Sequence, residues 1–211
     1  MAKTTYTDSP FGEGIHPHVN KADDKFNKEV PPFHVDLALE GDEAEAFKAK
    51  IDKATQDAFN DYMENGEGSK LSAGAKKKWG TYVPYEDEED KEGNPTGRTL
   101  FSFKQNSIIR TSDGKKEIHI GIYDADGNEV RNLVTHGSTI RVRYGFRAIV
   151  LKTNQQVGVR MDFSMVQIKE LAEGHSGGGF GKVDGGGFKG SSVGTHSGDD
   201  APSTDEDNAD Y

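Results

Sequence analysis

Not one of the 211 residues is a cysteine. This excludes disulfide staples, thiolate metal sites and cysteine nucleophiles, and it suits a reducing cytoplasm. Long apolar runs are also missing. No stretch approaches the length of a membrane span, and the N-terminal MAKTTYTDSPFGEG lacks the apolar segment of a signal peptide, so a soluble, intracellular protein with no membrane partner is expected. Apolar residues make up 32% of the chain and charged ones 29%, with a mean hydropathy of −0.79. A core is still attainable, because 11 Phe and 7 Tyr are present.

Positive charge is scarce overall but not evenly so. The net charge is −10. Residues 1–96 hold 12 basic and 21 acidic side chains, residues 97–170 hold 12 and 7, and residues 171–211 hold 2 and 8. A basic middle beside an acidic end points to a polyanionic partner more than the total does.

Residues 1–30 are rich in turn formers and read as an arm. In PFHVDLALE, Phe33, Val35, Leu37 and Leu39 alternate with polar residues as in a half-buried strand, which Gly41 breaks. Asp42 and Glu45 resemble a capping box. Phe47, Ile51, Ala54, Ala58 and Tyr62 then share one face of a helix over about 42–64, a stripe expected to be core. Residues 66–97 read as a long loop with a basic, aromatic half (GSKLSAGAKKKWGTYVPY) and an acidic half (EDEEDKEGNPTG). Strand patterns follow in TLFSFKQNSIIR, EIHIGIYD, STIRVRYGFRAIVL and VGVRMDFSMVQIKELA, with turns at Ser112–Gly114 and Asp126–Gly127. Several short strands and one early helix predict a mainly β protein built on a small antiparallel barrel. Past Ala172 the glycine-rich segment, with GGGF twice, reads as a flexible linker over 174–198. An acidic tail, 199–211, ends on Tyr211.

Alternation along 138–151 puts Ile140, Val142, Tyr144, Phe146, Ala148 and Val150 on one face and Arg141, Arg143 and Arg147 on the other. On the next strand Val157, Val159, Met161 and Phe163 oppose Arg160. With both apolar sets inward, four guanidiniums line one outer surface, and Arg presents a planar fork to phosphates. The alternative is a solvated face with edge-protecting charges, which does not require every charge to be Arg. Lys76, Lys77 and Lys78 precede Trp79, Tyr82 and Tyr85. Cations among aromatic rings suit single-stranded nucleic acid, the former tracking the backbone and the latter stacking on bases, although Trp79 and Tyr82 could instead plug the barrel end. Tyr123 shares the outer parity of its strand with His119 and is a further stacking candidate. Phe101 and Phe103 are expected in the core.

Other motifs fail. GGGFGKV would need Gly at 176 and Ser or Thr at 183 to make a phosphate loop, and Ser176 and Val183 stand there. In Asp124–Asn128 the glycine comes too early for a calcium loop. His16 and His18 are a close pair with no third ligand implied, and the carboxylates of EDEED are expected to be solvated. No catalytic set can be assembled, so neither an enzyme nor a metal or cofactor is expected.

HPHVNKADDKFNKEVPPFHVDLAL, the helix that follows it, GSTIRVRYGFRAIVLKTNQQVGVRMDFSMVQIKELAEG and the acidic, aromatic-tipped terminus together resemble the single-stranded DNA-binding proteins of short-tailed, T-odd-like bacteriophages. The resemblance covers most of residues 15–175. It implies an oligonucleotide/oligosaccharide-binding (OB) barrel, a Greek-key fold, over 1–173 that coats template DNA during replication and recombination. It further implies a tail (Asp205, Glu206, Asp207, Asp210, Tyr211) that contacts DNA polymerase and helicase-primase and supports a homodimer. Tyr211 stands where that family commonly has Phe. A protein-interaction adaptor without nucleic-acid binding is the rival expectation.

Overall fold

The structure is a computed structural model that describes residues 5–25, 27–111 and 114–172. The expected linker and acidic tail, with Asp205, Glu206, Asp207, Asp210 and Tyr211, lie outside the described residues.

Two short strands, β1 (Thr7–Asp8) and β2 (Gly12–His18), lead into β3 (Pro32–Glu40), where Phe33, Val35, Leu37 and Leu39 are buried as the alternation predicts. Helix α1 (Gly41–Glu64) starts directly on the strand's last residue. Gly41, at φ +62°, takes the left-handed conformation that makes this abrupt turn, one that costs a glycine little. Glu40 occupies the N-cap position without a side-chain cap bond. The expected Asp42–Glu45 capping box is therefore absent: Asp42 already lies within the first turn, and Glu45 accepts a hydrogen bond from Lys48 at 3.2 Å.

The segment expected to be a long loop is instead ordered. A 3-10 turn (Glu67–Lys70) and the short α2 (Ala73–Lys76) precede β4 (Gly80–Tyr82), β5 (Tyr85–Glu89) and the long β6 (Pro95–Asn106). β5 and β6 form a hairpin. β7 (Ile108–Thr111) pairs with β8 (Gly114–Glu117) as a separate two-stranded ribbon. The expected strand over EIHIGIYD is thus divided. Glu117 ends β8, and only β9 (Gly121–Tyr123) joins the main sheet. β10 (Thr139–Leu151) and β11 (Gln156–Glu170) complete the chain.

β2, β3, β6, β11 and β10 neighbour one another in that order, and β10 returns to β2, closing a five-stranded barrel. The closure between β6 and β11 is parallel, at Phe103 opposite Met161, and the rest of the ring is antiparallel. The result is an OB-type barrel with one main helix.

Phe101, Phe103, Tyr144, Met161 and Phe163 fill its interior. Phe47 of α1 plugs it, with its ring 4.8 Å from Phe101 and 5.6 Å from Tyr144 between centroids. Burying such side chains contributes about 1.5–3 kcal/mol apiece, which identifies the helix's apolar stripe as core. Gly158 is required where β4 meets β11, because a Cβ there would run into the Tyr82 carbonyl.

A bulge breaks the alternation of β11. Arg143 and Tyr144 face Met165 and Phe163, so Ser164 has no partner and the buried parity passes from Phe163 to Val166 and Ile168.

Candidate nucleic-acid interface

The outer faces of β3 and β6 present His34, Asp36, Ser102, Lys104 and Asn106 because the inward parity of both strands is taken by apolar residues. One wall over these faces is the segment between β2 and β3, with Asp23, Asn27 and Glu29. The other is the β7–β8 ribbon, with Ile108, Ile109, Arg110 and Lys115. Together they enclose a groove of about 1180 Å³ that ends at Arg160. A second hollow of about 600 Å³ shares Ser102, Lys104 and Arg160 with the first and continues past Arg147, Tyr82 and Pro84 to the end of β10. The two form one channel across the barrel, lined by five cations (Lys104, Arg110, Lys115, Arg147, Arg160) and three carboxylates (Asp23, Glu29, Asp36).

Arg147 and Arg160 are directly opposite each other across β10 and β11. Two cations in that position would repel, but Asp162 lies between them. Its Oδ2 accepts from Arg147 Nε at 2.7 Å and its Oδ1 from Arg160 Nε at 2.5 Å. Both bonds use Nε, which restrains the planes of the two guanidiniums, and the Arg147 side chain stays half exposed. Arg160 also donates to Asn106 at 3.4 Å. Paired forks held flat by one carboxylate suit bidentate contact with phosphate oxygens.

Arg141 and Arg143 lie on the same side of the ribbon beyond the bulge, in a separate hollow of about 360 Å³ with Tyr123 and Asp8. Arg143 binds Asp8 twice, at 2.7 and 3.0 Å, and this guanidinium holds the Asp8 carboxyl below its ordinary value. Arg141 donates to Gln167 at 2.7 Å and covers the Phe11 ring at 4.9 Å. The single surface of four Arg side chains expected from parity is therefore two pairs in two hollows.

The sequence profile of the family described as "Single-stranded DNA-binding protein, Bacteriophage T7" matches residues 9–171. The chain belongs to this family. No curated protein matches the chain significantly. Among solved structures it is similar to gp2.5, a single-stranded DNA-binding protein encoded by bacteriophage T7, at 19% identity and a TM-score of 0.66, covering 90% of this chain and 100% of that one. It is also similar to the single-stranded DNA-binding protein from bacteriophage Enc34 in complex with ssDNA, at 12% identity and a TM-score of 0.53, covering 80% and 88%. Both likenesses are likenesses of fold.

In OB-type barrels oligonucleotides lie across the second and third strands and the loops beside them. In this member of the phage family those strands are β3 and β6, the floor of the channel. Of the basic, aromatic segment, Tyr82 reaches the channel, whereas Trp79 packs on Tyr62 of α1 with ring centroids 5.0 Å apart. Lys76 Nζ donates to the Met63 carbonyl at 3.4 Å, placing a cation at a helix end whose last turn has none of its own. Lys77 and Lys78 are exposed.

Lys104, Arg110 and Lys115 were not among the residues expected at the interface. Their signal was present in FKQ and IIRTSDGKKE, a basic hairpin, but alternation there reports only strands. The carboxylates of EDEED are not simply solvated either. Glu88 forms a bidentate pair with Arg98 at 2.6 and 2.7 Å, and Asp87 binds Lys48 at 2.9 Å. Finally, His16 and His18 do not act as a pair. His16 stacks on His136, whereas His18 meets His34 and Asp23 on the channel's rim, the one cluster of three histidine or carboxylate groups among the described residues whose ligand atoms lie within 4.8 Å of one another.

Proposed function

We propose that the protein coats single-stranded DNA without reading its sequence, with the strand lying in the channel over β3 and β6 and past Arg147 and Arg160. The observation that carries this is the continuous, cation-lined channel on the face where OB-type barrels take oligonucleotides. Lys104, Arg110, Lys115, Arg147 and Arg160 contact phosphates, and Tyr82 offers a stacking surface at one end. Lys77 and Lys78 attract the strand from the neighbouring segment. Arg141, Arg143 and Tyr123 have a lesser part, since they line a hollow outside this channel.

Membership of the phage family supports a setting in DNA replication and recombination in the host cytoplasm, and a binding role without a catalytic step. The acidic residues Asp205, Glu206, Asp207 and Asp210, with Tyr211, recruit DNA polymerase and helicase-primase and support a homodimer. In the absence of DNA the same tail competes for the cationic channel.

One titration tests the DNA-binding part of this reading. Oligo-dT binding is measured at several salt concentrations for the full chain and for a chain ending at residue 198. At about −0.7 per phosphate neutralised, the log–log salt slope for the five cations should be roughly −3.5, and the shortened chain should bind more tightly at low salt. A flat salt response would favour the adaptor, and equal affinities for the two chains would remove the tail's competing role.

A further inference from the structure

We propose that His18, Asp23 and His34 form a binding site for a zinc-class divalent cation on the rim of the channel. His18 and His34 are directly opposite each other on β2 and β3, with ring centroids 4.6 Å apart. His34 Nε2 lies 3.4 Å from Asp23 Oδ2, and one ligand atom from each of the three residues falls within 4.8 Å of the others. Small side-chain rotations would bring all three to the distance of about 2.0–2.2 Å that zinc requires of nitrogen and carboxylate ligands.

Two features of the backbone bring these residues together. The register of β2 against β3 shifts between Ile15 and His18, and His16 takes a φ of 46°. Such a bulge re-aims the side chains after it, and here it turns His18 onto His34. The segment carrying Asp23 is pinned to the start of β3, because the Asp23 N–H donates to the Pro32 carbonyl at 2.8 Å. The Lys25 N–H donates to Asp23 Oδ1 at 3.0 Å, which leaves Oδ2 facing the imidazoles.

An ion pair with Asp23 would need only one histidine. A second imidazole within reach of the same carboxylate is what a shared cation explains. Contrast the His16–His136 pair, at 5.1 Å, where no such cluster forms among the described residues. Two imidazoles and a carboxylate select zinc and its neighbours over magnesium or calcium, which take oxygen ligands. Three protein ligands leave a coordination position open, and two of the three, Asp23 and His34, line the channel. This proposal stands whether or not the channel holds DNA.

The test is calorimetric titration of zinc chloride into the metal-free full chain with magnesium in excess. One equivalent should bind. Binding should be lost in His18→Gln, which removes an exposed ligand with little packing loss, and in Asp23→Asn, and kept in His16→Gln/His136→Gln. In the unaltered chain zinc should shift the imidazole NMR signals of His18 and His34 and not those of His136. No binding heat, or heat and shifts that survive His18→Gln and Asp23→Asn, would overturn the proposal.

Discussion

Tyr144 is among the largest fully buried side chains, and its hydroxyl finds no hydrogen-bond partner among the described residues. Burial alone pushes its pKa upward. Its ring is well used, packing edge-on against Phe47 and Phe103 with Lys50 Nζ 5.6 Å above it. A buried, unsatisfied hydroxyl costs about 1–3 kcal/mol, so Tyr144→Phe should keep the ring contacts and stabilise the fold by about 1 kcal/mol, read as a higher melting temperature. A lower one would mean that the hydroxyl has a partner. Alternation predicted that Tyr144 points inward, and it does. Nothing in RVRYGFR predicted an orphaned oxygen, because satisfaction depends on what the elements packed around it bring within reach. The same limit explains Lys76. In AKKKW the three lysines are equivalent by pattern, and only the end of a helix thirteen residues upstream distinguishes the first.

Elements with strong periodicity were legible: β3, α1, β10 and the first half of β11 run as their apolar spacing dictates. The segment 66–97 was not, because its order is tertiary. β4 is held by parallel pairing with β11, and β5 by a hairpin whose Tyr85 ring packs on Phe101, 5.7 Å away between centroids. Charge also fixes β5. Arg98 bridges Glu88 and Glu13, joining β5, β6 and β2. The Arg98 hydrogen bonds, then that from Thr96, hold the Glu88 carboxyl below its ordinary value of 4.5. A depressed carboxylate contributes stability that is full above its unfolded pKa and lost as pH falls through its folded one. Glu88→Gln should therefore melt below the unaltered protein at neutral pH, and the gap should narrow as acid passes 4.5 and below. A gap independent of pH would show that Glu88 acts through packing alone.

At the scale of the whole molecule, strand count and the single early helix predicted a barrel, and phage-family resemblance predicted its type. The identity of the concave face was hidden. Parity places Arg141, Arg143, Arg147 and Arg160 on one side, but a one-residue bulge at Ser164 and the pairing of Asp8 with Arg143 divide them between hollows. The channel's other cations sit on β6 and on the β7–β8 ribbon, which the chain reaches only after crossing the barrel. His18 and His34 are likewise brought together by register, from positions sixteen residues apart.

The central claim is that the cations of this channel hold unpaired DNA, and fluorescence anisotropy with labelled oligo-dT tests it most directly. Replacing exposed Lys104 by Glu and Arg147 by Gln together should leave the melting temperature nearly unchanged. Affinity at low salt should fall by more than about tenfold, and the salt slope should shrink by about 1.4, or about 0.7 for each lost phosphate contact. A folded double variant that binds oligo-dT as tightly as the unaltered protein, with the same slope, would contradict the account.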